Sequence, residues 1–332
     1  MTREAELRAA AYASARRTIL PHSVELPVLG IMTRFETNSP EVHALVNEKF
    51  GPWDAVRLES PVPAVPRAHV RVIVHAGSEH VVGRAPVVHV CPDDLRMIAY
   101  SPGSFAISDP TRGEVFAYVT AELVADREHF HDQVLQAMTL ALLSSWDRHF
   151  VHAAAIARRS RAIVLAAASG TGKSTLSYLA HASGLEVMSE DRIWIQQSPA
   201  LRVWGWPLQL HLRPDAARHF PELAAQQTQS HGDGKQRLVV DLAPMAGRER
   251  QFYADDAVVC LLERGDGAAS IERVEEHVIV ESLCGDVAPG FDRHAAQHEP
   301  AVRAIAHGGG WRLRLSSNPH DALTLLLRML DG

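Results

Sequence analysis

Fifteen residues constrain this chain more than any others: Arg161 to Thr175, RAIVLAAASGTGKST. Ala162 to Ala166 is a short apolar run, which predicts a buried strand. Ala167 to Gly172 is a loop of small residues with two glycines, and Lys173-Ser174-Thr175 then opens an amphipathic helix. Strand, glycine-bearing loop and Lys-Ser helix start, in that order, belong to an α/β sheet whose strand end faces an anion. Gly170 and Gly172 let backbone N–H groups converge without a side chain in the way. The helix N-terminus adds positive partial charge at the same place. Ser169, Gly170, Thr171, Gly172, Lys173, Ser174 and Thr175 are therefore the predicted phosphate cradle. In such a cradle Lys173 reaches the β- and γ-phosphates and the Ser174 hydroxyl ligates Mg²⁺. The usual motif begins with glycine six residues before the lysine, where this chain has Ala167. Alanine is tolerable there if the position needs no positive φ.

The flanks of this stretch supply the other polar candidates. Gly184 reads as a helix stop, and Leu185 to Asp191 as a strand ending in the adjacent carboxylates Glu190 and Asp191. Just downstream of a phosphate loop, one carboxylate can position a metal while the other takes a proton from an attacking hydroxyl. Upstream, Phe150 to Ala157 reads as one strand, turned by Arg158-Arg159-Ser160 into a hairpin with the loop's own strand. That reading puts His152 in the strand beside the one that leads to the phosphates.

Elsewhere the pattern predicts a separate N-terminal module. An alanine- and arginine-rich helix over residues 1–20 precedes a strand from Val28 to Glu36. Thr37-Asn38-Ser39-Pro40 starts a helix that runs to about Phe50. After the connector PVPAVP at 61–66 come strands at 70–75, 87–91, 95–100, 104–107 and 114–119, read as a mostly antiparallel sheet. Phe130, Val134, Leu135, Met138, Leu142 and Leu143 then recur on one helix face. The predicted organisation is an α+β module over 1–126, serving acceptor recognition or assembly, and a nucleotide-binding domain over 127–332. Residues 285–300 read as a surface loop, and a helix over 321–330 closes the chain.

Composition narrows the function classes. A net charge of −6 and no long basic cluster argue against a nucleic-acid surface. No apolar run approaches the ~20 residues that span a bilayer. The start of the chain, with Glu4 and Glu6, does not read as a secretory signal. Three cysteines without CxxC spacing suit a reducing compartment, so the expected location is the cytoplasm. His43, His69, His75 and His89 show no metal-site spacing.

Taken together, His152, the loop Ser169-Gly170-Thr171-Gly172-Lys173-Ser174 and the pair Glu190-Asp191 resemble the core of the HPr kinase/phosphorylase family. They resemble most closely its shorter bacterial relatives, the HPr kinase-like serine kinases. Those proteins pair a histidine in the preceding strand with a loop of the form (G)xSGxGKS and an acidic pair after the helix. Here 21 residues separate His152 from Lys173, and 17 separate Lys173 from Glu190, a match without gaps. The resemblance implies a phosphoenolpyruvate-carboxykinase-like P-loop fold with a mixed sheet. It implies ATP and Mg²⁺ as cofactors, Glu190 as the base where relatives have aspartate, and Asp191 with Ser174 at the metal. His152 would sit near the transferred phosphate. A looser match through Val203-Trp204-Gly205-Trp206-Pro207 and Gly234-Lys235-Gln236-Arg237 would bring Lys235 and Arg237 toward the phosphates or the acceptor. The implied activity is γ-phosphate transfer to an alcohol, a serine of a peptide or protein, with self-association left open by hexameric relatives. A small-molecule hydroxyl kinase, a nucleotide-binding module that has lost catalysis and a P-loop hydrolase are the other readings.

Overall fold

The computed structural model describes residues 18–57, 67–77, 87–90, 95–223, 228–230, 236–242, 250–284 and 295–331. Most of the predicted helix 1–20, the connector 61–66, Cys91, Gly234 and Lys235 lie outside the described residues. The chain divides into two compact units, Met1–Trp146 and Asp147–Gly332.

The first unit contains strands β1 (His22–Val28), β2 (Ile31–Thr37), β3 (Ala68–His75), β4 (Val87–Val90), β5 (Arg96–Ser101), β6 (Ser104–Asp109) and β7 (Glu114–Thr120). They form one sheet in the order β1-β2-β3-β7-β6-β5-β4. The strand predicted from Val28 to Glu36 is instead the second half of a hairpin. Leu29 and Gly30, at φ 48° and 74°, make a two-residue turn between β1 and β2. Positive φ at both turn residues matches the twist of the flanking strands, but a buried leucine there leaves no turn signal in the pattern. Helix α1 (Pro40–Phe50) starts where predicted, with the Ser39 side chain accepting from the Val42 amide. It lies in the crossover that joins β2 to the parallel β3, and β3 is also parallel to β7, so the sheet is mixed.

After β7 come α2 (Ala121–Ala125), α3 (Arg127–Phe130), a π-helical stretch His131–Gln136 and α4 (Ala137–Leu143). The apolar face from Phe130 to Leu143 is buried, and α4 packs on β3, β6 and β7. This helical run thus completes the first unit's core. The boundary falls at 146/147 rather than at the predicted 126/127.

The second unit is built around β9 (Ala154–Arg158), β10 (Arg161–Ala166), β11 (Glu186–Ser189), β18 (Asp256–Arg264), β19 (Ser270–Val274) and β20 (Gly310–Leu315). Their order is β11-β9-β10-β18-β20-β19. β10, β18 and β20 run parallel, whereas β9 and β19 run against their neighbours. Two smaller sheets accompany it. One orders β17 (Tyr253–Ala254), β13 (Arg202–Trp204), β12 (Ile193–Gln196) and β8 (His149–Val151); the other orders β14 (Gln209–Leu212), β16 (Gln236–Asp241) and β15 (Thr228–Ser230). This is a mixed α/β architecture with several sheets.

Alternation along β10 explains why it reads as a continuous apolar run. Ile163 and Leu165 enter one core with Leu176 and Leu179 of α5 (Lys173–Ala182) and Leu323 and Leu326 of α8 (Pro319–Asp331). Ala162, Val164 and Ala166 enter another with Ile279 of α6 (Glu276–Cys284) and Val302 and Ile305 of α7 (Ala295–Ala306). Both faces of the central sheet are therefore covered, and each fully buried valine or leucine contributes about 1.5–3 kcal/mol. Residues 295–300, predicted as loop, open α7. The single strand predicted over 150–157 is interrupted at His152 and Ala153: β8 belongs to the four-stranded sheet and β9 to the central one.

Candidate phosphate-binding site

The loop after β10 has the backbone that its sequence demands. Gly170 and Gly172 stand at φ 82° and 136°, a region that L side chains rarely adopt. Ala167 is not among the residues with positive φ, so alanine at the head of the loop introduces no backbone strain. Lys173 is buried, and its ammonium donates to the Ala167 carbonyl, folding the side chain back across the loop. The Thr171 hydroxyl donates to the Ala168 carbonyl at 2.9 Å. Loop residues 168–170 are exposed to solvent.

Helix α5 ends as Gly184 predicts. At φ 86° Gly184 lets its own amide bond the His181 carbonyl and the Leu185 amide bond the Ala180 carbonyl, each at 2.9 Å. These paired bonds satisfy the last carbonyls and turn the chain into β11. Beyond β11, Ser189 Oγ accepts from the Arg192 amide at 3.2 Å and holds the turn that carries Glu190 and Asp191.

Glu190 is the most thoroughly held polar group of the site. Its Oε1 accepts from Ser174 Oγ at 2.9 Å. Its Oε2 accepts from the His211 amide at 2.7 Å and from His211 Nδ1 at 2.9 Å. Because an ionised carboxylate only accepts, this contact assigns the proton to Nδ1 of His211. Glu190 is buried, at 9% exposure, whereas the Asp191 side chain is half exposed and lies 3.4 Å from Arg192 Nε. The serine predicted to meet a metal thus keeps its oxygen lone pairs while its proton goes to Glu190.

His152 is placed by the strands on either side of it. The β9–β11 and β8–β12 pairings, extended from either side, both set it opposite Arg192. Exposed His152 lies in the bend between β8 and β9, rather than inside a strand.

Three further residues meet this constellation without any signal from motif spacing. His211 comes from β14, where buried Leu210 and Leu212 alternate with Gln209 and His211. That alternation also points Arg213, the next residue of the same parity, along the face of His211. The Arg213 guanidinium lies against Gly170, with one nitrogen 3.1 Å from where a Cβ would stand. Arg264, the last residue of β18, donates to the Gly170 carbonyl at 2.7 Å. Arg237 sits on β16, whose register with β14, extended by one pair, places it across from Arg213. Lys235, the companion expected nearby, lies outside the described residues.

Among the described residues no three His, Cys, Asp or Glu side chains cluster as a metal site. Mg²⁺ needs no such cage, because it takes one or two protein ligands and fills its octahedron with phosphate oxygens and water. Ser174 beside Glu190, with Asp191 next in the chain, fits that requirement.

No family model matches the sequence, and no curated protein matches it. Among solved structures, the chain is similar to the Hpr(Ser) kinase/phosphatase from Coxiella burnetii at 12% identity, over 55% of this chain and 99% of that one. The TM-score of 0.28 is too low for that likeness to bear on fold or activity.

Proposed function

We propose that this chain is an ATP-dependent phosphotransferase that moves the γ-phosphate of ATP–Mg²⁺ to an alcohol hydroxyl, most simply a serine of a peptide or protein. The observation that carries this reading is the bond from Ser174 at the head of the helix to buried Glu190, next to a loop whose two glycines take positive φ. Loop amides, Lys173 and Thr175 hold the phosphates, and Ser174 and Asp191 hold Mg²⁺. The metal's contribution is to neutralise charge on the phosphate oxygens. Glu190 takes the hydroxyl proton as the acceptor oxygen bonds phosphorus and the bond to the β-phosphate oxygen breaks, releasing ADP. His152 assists at the transferred phosphate, and Lys235 and Arg237 serve the phosphates or the acceptor. The mixed central sheet, with β9 against β10, supports a phosphoenolpyruvate-carboxykinase-like core. Acceptor choice or assembly is assigned to the first unit, because every phosphate-directed residue lies after position 150.

A second assignment within the same chemistry has a specific observation in its favour. Glu190 already accepts from Ser174, the proposed metal ligand, and from His211, while Asp191 is more exposed. In that version Glu190 holds the metal's surroundings and Asp191 takes the proton. The functional reading is tested by ADP release from ATP–Mg²⁺ with and without candidate serine peptides, followed by mass spectrometry of the peptides. Acceptor-dependent ADP with a matching phosphopeptide supports a kinase. ADP release indifferent to every acceptor supports a hydrolase, and nucleotide binding without any ADP release supports a regulatory module.

A further inference from the structure

The bonds around Glu190 leave two guanidinium groups at Gly170 unexplained. Arg264 is anchored there by its bond to the Gly170 carbonyl. Arg213 presses on the same glycine, is exposed, and has no hydrogen-bond or ion-pair partner among the described residues. Lys173, at the end of the same loop, donates to the Ala167 carbonyl. Like charges drawn to one loop repel each other unless an anion joins them, and the N-terminus of α5 favours an anion at the same place.

The position of Arg213 selects which phosphate. Arg213 lies two residues beyond His211, which clasps Glu190, so one short segment spans from the reacting carboxylate to Gly170. A phosphate bound between those two points would be the terminal one, on the acceptor side of the loop. A guanidinium there presents several fixed donors to phosphate oxygens as charge spreads over them. Resting on the nucleotide reading above, we propose that Arg213 contacts the terminal phosphate of the bound nucleotide, and that Arg264 is a positioning residue acting through the Gly170 carbonyl.

Calorimetric titration of the full chain with ATP–Mg²⁺ and with ADP–Mg²⁺ tests this. Arg213→Ala should weaken ATP by about 10- to 100-fold, the size of one charge-assisted contact, and leave ADP within about twofold. Arg213→Lys should recover part of the loss, because the charge returns without the fork. Arg264→Ala should weaken both nucleotides by the same factor, because it alters the loop and not one phosphate. Unchanged thermal midpoints in the Arg213 variants show that their fold is intact, as expected for an exposed side chain. Equal effects of Arg213→Ala on ATP and ADP, or none on either, overturn the proposal. If wild type binds ATP and Lys173→Ala does not, the nucleotide reading survives that failure. If wild type binds neither nucleotide, both fall.

Discussion

Replacing Glu190 by glutamine separates charge from shape at the centre of the site. The carboxylate accepts three hydrogen bonds, from Ser174 Oγ, the His211 amide and His211 Nδ1. Glutamine has the same length, so its carbonyl can take both His211 donors while its amide faces Ser174, whose hydroxyl rotates to accept. Each bond then changes from charge-assisted to neutral, a loss of about 1 kcal/mol apiece and about 3 kcal/mol at most. Relief from burying a charge offsets part of it. The fold should survive with a lowered melting temperature. Chemistry should suffer far more, because an amide cannot take the acceptor's proton. Transfer should fall by ~10²–10⁴-fold, or roughly 3–5 kcal/mol on the barrier, with ATP binding retained. Glu190→Asp should fall between the two, since withdrawing the carboxylate by ~1–1.5 Å breaks the 2.9 Å bond to Ser174. Single-turnover phosphorylation of a confirmed acceptor, beside calorimetry of ATP–Mg²⁺, measures both quantities. A Glu190→Gln protein that transfers as fast as wild type refutes Glu190 as base, and Asp191→Asn should then be the slow variant. Loss of Mg²⁺-dependent ATP binding without a change in single-turnover rate would instead place Glu190 with the metal.

Lys173→Ala removes the buried ammonium and should weaken ATP–Mg²⁺ binding by at least tenfold; equal calorimetric affinities would show that the loop is not a phosphate site. At Gly205→Ala a Cβ would meet the Met188 carbonyl oxygen at 2.2 Å, a backbone atom that cannot swing aside. The expected loss is about 1–3 kcal/mol, and an unchanged urea midpoint would contradict it. Burial holds the half-buried His181 below its ordinary value of 6.5. Above pH 6.5 it is neutral both folded and unfolded; as pH falls through 6.5 the unfolded chain binds the proton first, and stability is lost until the folded value is passed. His181→Gln should therefore lose less stability than wild type between pH 7.5 and 5.5, and identical losses would remove His181 as a cause.

What the sequence discloses about the site depends on how local each feature is. The loop from Ala167 to Ser174, the stop at Gly184 and the helix start at Ser39-Pro40 are fixed by residues within a few positions of one another, and they were legible. His211, Arg213 and Arg264 were not, because they reach Glu190 and Gly170 from β14 and β18 through tertiary folding that no motif spacing encodes. The alternation around Leu210 and Leu212 shows that His211 and Arg213 share a face, but not what that face meets. The break at His152 is hidden for a related reason: Val151 and Ala153 are both buried, so the apolar pattern continues while the chain changes sheets. Leu29 conceals the β1–β2 turn in the same way.

That change of sheets has a mechanical consequence. The chain passes from the four-stranded sheet to the central one at His152, and passes back again at the turn bearing Glu190 and Asp191. Side by side, the two passages act as a joint whose setting depends on how the sheets are inclined to each other. The loop after β10 springs from the central sheet, whereas His152, Glu190 and Asp191 ride on the joint. On the proposed reading, the four-stranded sheet is a structural arm of the reaction centre, and a change in its inclination would re-aim His152, Glu190 and Asp191 relative to the loop.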